Sequence, residues 1–200
     1  MTKMAWGKLF TETTTASSSS SITSTVFPSS VFNTSLHHLL ILPAGNNVSG
    51  VVRVGKTTID NSPTYSQRYM FNGNGNNRTD VDQYQMKLGY DGNEQFMVVY
   101  SCNIATSEKL FIGRVVERVA SPKRKEGVGK WVNTASQFDI YSQTQWSNGR
   151  LFADGSNLTI LGSDAGEGAT SNGKVQDGAV FYEKDTNKEY ILNNGSWSEL

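Results

Sequence analysis

The chain has one cysteine, two histidines and four prolines in 200 residues, and its positive and negative side chains balance to a net charge of zero. Each shortage excludes something. A lone Cys102 cannot build an intrachain disulfide framework, so stability must come from a core or from the association of chains. Cys102 lies in an apolar alternating run, which predicts a buried structural thiol. The histidines are neighbours, His37 and His38, and any Ser-His-Asp or Cys-His arrangement would have to run through them. In a strand, adjacent side chains point to opposite faces, so the pair cannot readily grip one metal ion. The charge balance supplies no field to steer the molecule to nucleic acid or to an anionic membrane. No apolar run approaches the ~20 residues of a membrane span. Met1-Thr-Lys-Met-Ala-Trp-Gly-Lys8 is followed by Thr and Ser rather than by an apolar stretch, which is not the pattern of a secretory signal. The expectations are synthesis in a cytoplasm and no membrane insertion.

Apolar residues make up only 36% and charged residues 18%, both low for a globular chain. Ser, Thr, Asn and Gly fill the difference, as suits many strands joined by many turns. Residues 6–10 read as a first strand. Residues 11–25 hold twelve hydroxyl side chains in fifteen positions. They read either as a disordered linker or as exposed strand and turn, the second being preferred for 20–27, where Ile22, Val26 and Phe27 are apolar anchors. Further strands are expected at 36–42, 48–54, 65–71, 81–88, 95–104, 109–119, 128–134, 138–145 and 158–161. The 48–54 segment is expected to be the hairpin partner of 36–42. Short runs at this spacing, with turn signals between them and no sustained 3.6-residue period, predict an all-β antiparallel sandwich, jelly-roll-like, over residues 1–161.

Residues 162–176 contain four glycines and almost nothing apolar, and read as a flexible linker. Beyond it, over 177–200, Asp185-Thr-Asn-Lys188 and Asn193-Asn-Gly195 supply turn chemistry between short apolar runs. A terminal hairpin of this size is marginal alone. Its aromatics Phe181, Tyr182, Tyr190 and Trp197 must therefore find a surface on the sandwich, on another copy or on another protein. Together with Trp6 they are the expected assembly contacts.

The candidate chemistry is thin. Gly50-Val-Val-Arg-Val-Gly-Lys-Thr57 matches the phosphate-loop pattern letter for letter. Its interior favours a strand, and the next residues, Thr58-Ile-Asp-Asn-Ser-Pro63, do not open a helix to cradle phosphate. It reads as a strand ending in a turn, with Arg53 and Lys56 as surface charges. Residues 72–82 carry many oxygen donors but few carboxylates, match no calcium loop, and read as a solvent loop. Lys123, Arg124, Lys125 and Lys130 form the one basic cluster, read as a turn between Pro122 and Gly127. Tyr65, Tyr69, Trp131, Tyr141 and Trp146 could form a sugar-binding platform or, alternatively, sandwich core. Paired carboxylates distant in sequence are not marked by any cluster. No catalytic residue, cofactor site or metal site is assigned.

The C-terminal pattern, a strand, a turn opening on Asp185, a strand, then Asn194-Gly-Ser-Trp197, resembles a terminal hairpin of tailed-bacteriophage tail, fibre and baseplate proteins. Trp6-Gly-Lys8, Ser107-Glu-Lys-Leu-Phe-Ile-Gly113, Val128-Gly-Lys-Trp131 and Leu161-Gly-Ser-Asp164 are similar to segments of uncharacterised virion proteins of tailed phages. The resemblance implies a non-enzymatic structural component of a virion surface, a capsid decoration or fibre-like appendage. Its partners would be itself, as a homo-oligomer with a trimer among the options, and other virion proteins. The alternative is a tail-fibre module that recognises a host surface glycan through aromatic loop residues.

Overall fold

In a computed structural model, the structure describes residues 6–15, 19–27, 34–41, 48–72, 74–89, 91–92, 94–118, 120–121, 123–145, 151–163, 180–183, 185–193 and 196–200. The regular elements among them are all strands: β1 Trp6–Thr13, β2 Ser21–Thr23, β3 Thr34–Ile41, β4 Val48–Lys56, β5 Thr58–Ile59, β6 Tyr65–Phe71, β7 Asn74–Gln83, β8 Asp91–Gly92, β9 Gln95–Cys102, β10 Lys109–Glu117, β11 Lys123–Trp131, β12 Ile140–Gln145, β13 Asn157–Ser163, β14 Val180–Glu183, β15 Lys188–Asn193 and β16 Ser196–Glu199. They form three antiparallel sheets. The largest runs β1-β13-β3-β9-β10-β11-β6-β7, the second runs β2-β12-β4-β5 with β8 beside β4, and the third is β14-β15-β16.

The first two sheets share one hydrophobic cluster. Leu9, Val99, Phe111, Val115, Trp131, Leu158 and Ile160 come from the eight-stranded sheet, and Ile22, Val52, Val54 and Tyr141 from the smaller one. Phe138 joins them, stacking on Phe111 at 5.8 Å and meeting Phe27 edge-on at 6.1 Å. This is the expected all-β sandwich. The alternation that builds it is plain in β10, where Lys109, Phe111, Gly113, Val115 and Glu117 are buried and the residues between them are exposed.

Several expectations of local structure are corrected. Residues 48–54 are not the hairpin partner of 36–42. β3 pairs with β13 and β9 in one sheet, whereas β4 pairs with β12, β5 and β8 in the other. Both runs are apolar enough to be central strands, and central strands are claimed by whichever neighbours complete the two sheets. The segment 72–82, expected as a solvent loop, supplies most of the edge strand β7 on β6, and the strand expected at 81–88 keeps only its first three residues, as the end of β7. The turn between β6 and β7 places Asn72 at φ 50°. Polar side chains suit an edge that must not recruit another strand. Residues 123–125, expected as a solvated turn, open β11. Cys102, expected to be buried, is half-buried, because the alternation in β9 turns Gln95, Met97, Val99 and Ser101 inward instead. The C-terminal hairpin gains a third strand, with Trp197 opposite Leu192.

Residues 86–89 tie the two sheets together. Met86 exchanges both backbone hydrogen bonds with Val52 of the smaller sheet, and the Gly89 N–H donates to the Gly50 carbonyl at 2.8 Å. The Leu88 and Met86 side chains fill space left by glycines of the larger sheet. A Cβ on Gly113 would lie 3.3 Å from Leu88, and one on Gly129 would lie 2.6 Å from the Met86 sulfur. From that sheet the Lys125 ammonium donates to the carbonyls of Lys87 and Gly89, the second at 2.7 Å, and sits 4.0 Å from the Tyr69 ring centre. Lys125 is thus almost fully buried as an internal clamp. Carbonyl oxygens and an aromatic face are groups that satisfy a buried ammonium.

Candidate functional site

The sequence motifs resolve into structure. The phosphate-loop match lies along β4 and ends at Thr57, whose φ of 64° makes the tight turn into β5. Lys56 pairs with Asp139 at 2.7 Å, and Arg53 donates to Gln85 and Asn61. His37 and His38 are consecutive in β3, opposite Val99 and Val98 of β9, and the side chains of β3 lie outside the described residues. Tyr65, Tyr69, Trp131 and Tyr141 are core residues, none more than 4% exposed, so these four offer no face to a sugar. Trp146 lies outside the described residues.

A polar depression of about 560 Å³ opens at one end of the sandwich beside Lys56, Asp60, Asn61, Ser62, Trp131 and Asn133. Its centre is Asp60. One carboxylate oxygen accepts from the Ser62 N–H at 2.9 Å and from the Ser62 hydroxyl. The other accepts from the Thr64 hydroxyl and the Trp131 indole N–H, each at 2.8 Å. Burial pushes this carboxyl up, but the hydrogen bonds from Ser62, Trp131 and Thr64 outweigh it and hold the group below its ordinary value. With both oxygens engaged, Asp60 acts as a latch that fixes the 60–64 turn on Trp131. Beside it, the buried Tyr65 hydroxyl donates to the carbonyl of Val54 at 2.7 Å, and burial raises its pKa.

The latch makes a prediction about acid. A carboxyl whose folded pKa is depressed adds stability above its unfolded pKa, and that stability is lost as pH falls through the folded value. Asp60→Asn keeps one acceptor and loses the charge. It is expected to cost about 1.5–3 kcal/mol at pH 7, the scale of a hydrogen bond to a charged group. The difference from wild type should shrink below about pH 4, the ordinary carboxylate range. Urea midpoints at pH 7 and pH 3 check this; an equal deficit at both would rule out the charge as the cause.

The expected assembly residues divide. Trp6 begins β1 opposite Ser163 of β13. In the C-terminal sheet Phe181 stacks on Tyr190 at 6.1 Å and meets Trp197 at 6.0 Å, so three of the four aromatics pack first on one another. Tyr182 points away from this group and donates its hydroxyl to Asn187 at 2.7 Å. Tyr182 and Trp197 remain exposed.

A larger surface gave no clear signal in the sequence. On the outer face of the eight-stranded sheet, Phe96 and Tyr100 of β9, Leu110, Ile112 and Val116 of β10, and Val128 of β11 are each between 48% and 54% exposed. Register joins them into one patch: Val116 is opposite Phe96, and Ile112 lies between Tyr100 and Val128. A depression of about 300 Å³ lies on the same face, lined by Arg68, Met70, Ile112, Arg114, Glu126 and Val128. The one hint was the run Gln95-Phe-Met-Val-Val-Tyr100, which is apolar on both faces. Such a strand is expected to be covered on both sides. Among the described residues, no group of three or more His, Cys, Asp or Glu side chains is placed to hold a metal ion. Comparison with family models, with curated proteins and with solved structures finds no match for the chain.

Proposed function

We propose that this protein is a non-enzymatic structural subunit that works by packing against other proteins on the surface of a phage-like virion, as a decoration or appendage component. The observation that carries the assembly reading is the apolar outer face of the eight-stranded sheet, centred on Ile112. Contiguous exposed apolar surface beyond a few hundred Å² marks an interaction site in a folded protein. The C-terminal sheet, with Tyr182 and Trp197 exposed, supports the reading as a second contact. The virion setting rests on the resemblance of the C-terminal pattern and of the Trp6, Ser107 and Val128 segments to phage structural proteins.

The test is recovery with particles. Virions produced in cells expressing the wild-type chain should carry it after density-gradient purification, visible by imaging as a regular surface feature. Ile112→Glu combined with Val128→Glu alters only exposed positions and should reduce its recovery at least tenfold while the melting curve is kept. Wild-type chain that never sediments with particles overturns the reading.

A further inference from the structure

The geometry points to a second copy of this chain as the occupant of the outer sheet face, packed face to face about a two-fold axis that runs along the strands between β10 and β11. The inference rests on the assembly reading above and names its partner. It is carried by the distribution of charge and apolar surface across the register.

Arg114 of β10 stands directly opposite Glu126 of β11, in the middle of the apolar patch. Neither is ion-paired with a described residue. A two-fold axis lying between these strands and above the sheet places β10 of one copy over β11 of the other without changing position along the strands. Arg114 then lies over the second copy's Glu126, and Glu126 over its Arg114. The same operation sets Ile112 over Val128 of the second copy, and the reverse. One strand further out it sets β9 over β6, bringing Tyr100 over Arg68 and Val98 over Met70, because Arg68 is opposite Val128 and Met70 opposite Glu126. An arginine over a tyrosine ring is a favourable pairing. In these two rows every charged side chain meets an opposite charge or an aromatic ring, and in the rows on either side Leu110 lies over Lys130 and Val116 over Arg124, against the apolar stems of those side chains. Such self-complementarity is what an isologous interface requires.

The size also fits. Four strands ~4.8 Å apart and seven residues of ~3.4 Å rise frame roughly 450 Å² in projection. A standard interface takes ~800 Å² from each partner, so the patch is the size of the centre of such an interface, and its margins on β3 and β7 would supply the remainder. Sheets packed face to face in this way sit ~10 Å apart, close enough for the apolar side chains of both to interdigitate.

The test uses two charge reversals that are individually incompatible and mutually compatible. By light scattering the wild-type chain should have about twice its 21.9 kDa mass. Arg114→Glu puts two acidic groups on each face, and Glu126→Arg puts two basic groups there. Each variant alone should be monomeric, with dimerisation weakened at least tenfold. An equimolar mixture should recover the dimer mass, since each acidic pair now faces a basic pair. Loss of the contact within one chain cannot produce that recovery. If either reversal fails to fold, Ile112→Thr with Val128→Thr keeps β-branched side chains and the Arg114–Glu126 pair, and should also be monomeric. A wild-type monomer, reversals that stay dimeric, or a mixture that stays monomeric overturns the inference. A wild-type monomer that still decorates particles overturns it while leaving the virion role intact, the face then taking a different virion protein. A dimer as specified that never associates with particles supports the inference and overturns the virion role.

Discussion

Trp131→Ala is expected to lower the melting temperature by roughly 10 °C. Deleting a buried tryptophan costs ~3–5 kcal/mol, and 1 kcal/mol moves the midpoint of a chain this size by ~2–4 °C. Trp131 is 1% exposed, at the end of β11 between Tyr65 and Lys109 in register. Three things are lost together. The indole fills the end of the core, its N–H is one of four donors on Asp60, and its ring lies 5.8 Å from the Lys109 ammonium. Lys109 is fully buried, donates to the carbonyls of Ala105, Ser107 and Asn133, and has its pKa lowered by burial. Trp131→Phe retains most of the volume and should cost about half as much, the remainder reporting the latch. Thermal unfolding of the two variants checks this, and equal losses would show that the retained ring volume contributes nothing.

Gly55→Ala is expected to destabilise by about 3 kcal/mol, at the upper end of overpacking costs. A Cβ at this position would lie 1.9 Å from the Thr58 carbonyl oxygen and 2.8 Å from the Asp60 nitrogen. These are backbone atoms, and no rotamer can relieve the clash. The turn that creates it is held by Asp139, whose backbone N–H donates to the Gly55 carbonyl and whose carboxylate accepts from Thr57 and pairs with Lys56. Opening the turn would also displace Asp60 and so loosen Trp131. Denaturant midpoints measure the loss, and a change under about 0.5 kcal/mol, the range of neutral surface substitutions, would overturn the argument. The same reasoning accounts for the second glycine of the phosphate-loop pattern, Gly55, which the β4–β5 turn requires, and for Gly89 outside it, where a Cβ would lie 2.6 Å from the Gly50 backbone.

Strand positions were largely legible where period-two patterning met a clear turn. The 65–71 run is β6 at the same bounds, and 95–104 with 109–119 is the β9–β10 hairpin. Legibility failed where composition and burial diverge. Lys123, Arg124 and Lys125 look like a solvated turn, yet strand alternation turns Lys125 inward, where carbonyls of a distant segment receive it. Residues 72–82 look like a loop because an edge strand under no demand to be apolar has a loop's composition. Trp131 and Tyr65 were readable as aromatic, but their being core rather than a sugar platform depends on which face of β11 and β6 meets the second sheet.

The sequence by itself determined the all-β class, the shortage of residues for covalent or acid–base chemistry, and the sites of most turns. Those properties reside in short windows, where side-chain periodicity and the local preferences of Asn, Gly and Asp act. Only the tertiary structure decided that β3 and β4 belong to different sheets, that Asp60 answers to Trp131, and that Phe96, Ile112 and Val128 share an exposed face. These depend on pairings between residues far apart in the chain. A strand with two apolar faces carries no local mark of which face the core will take.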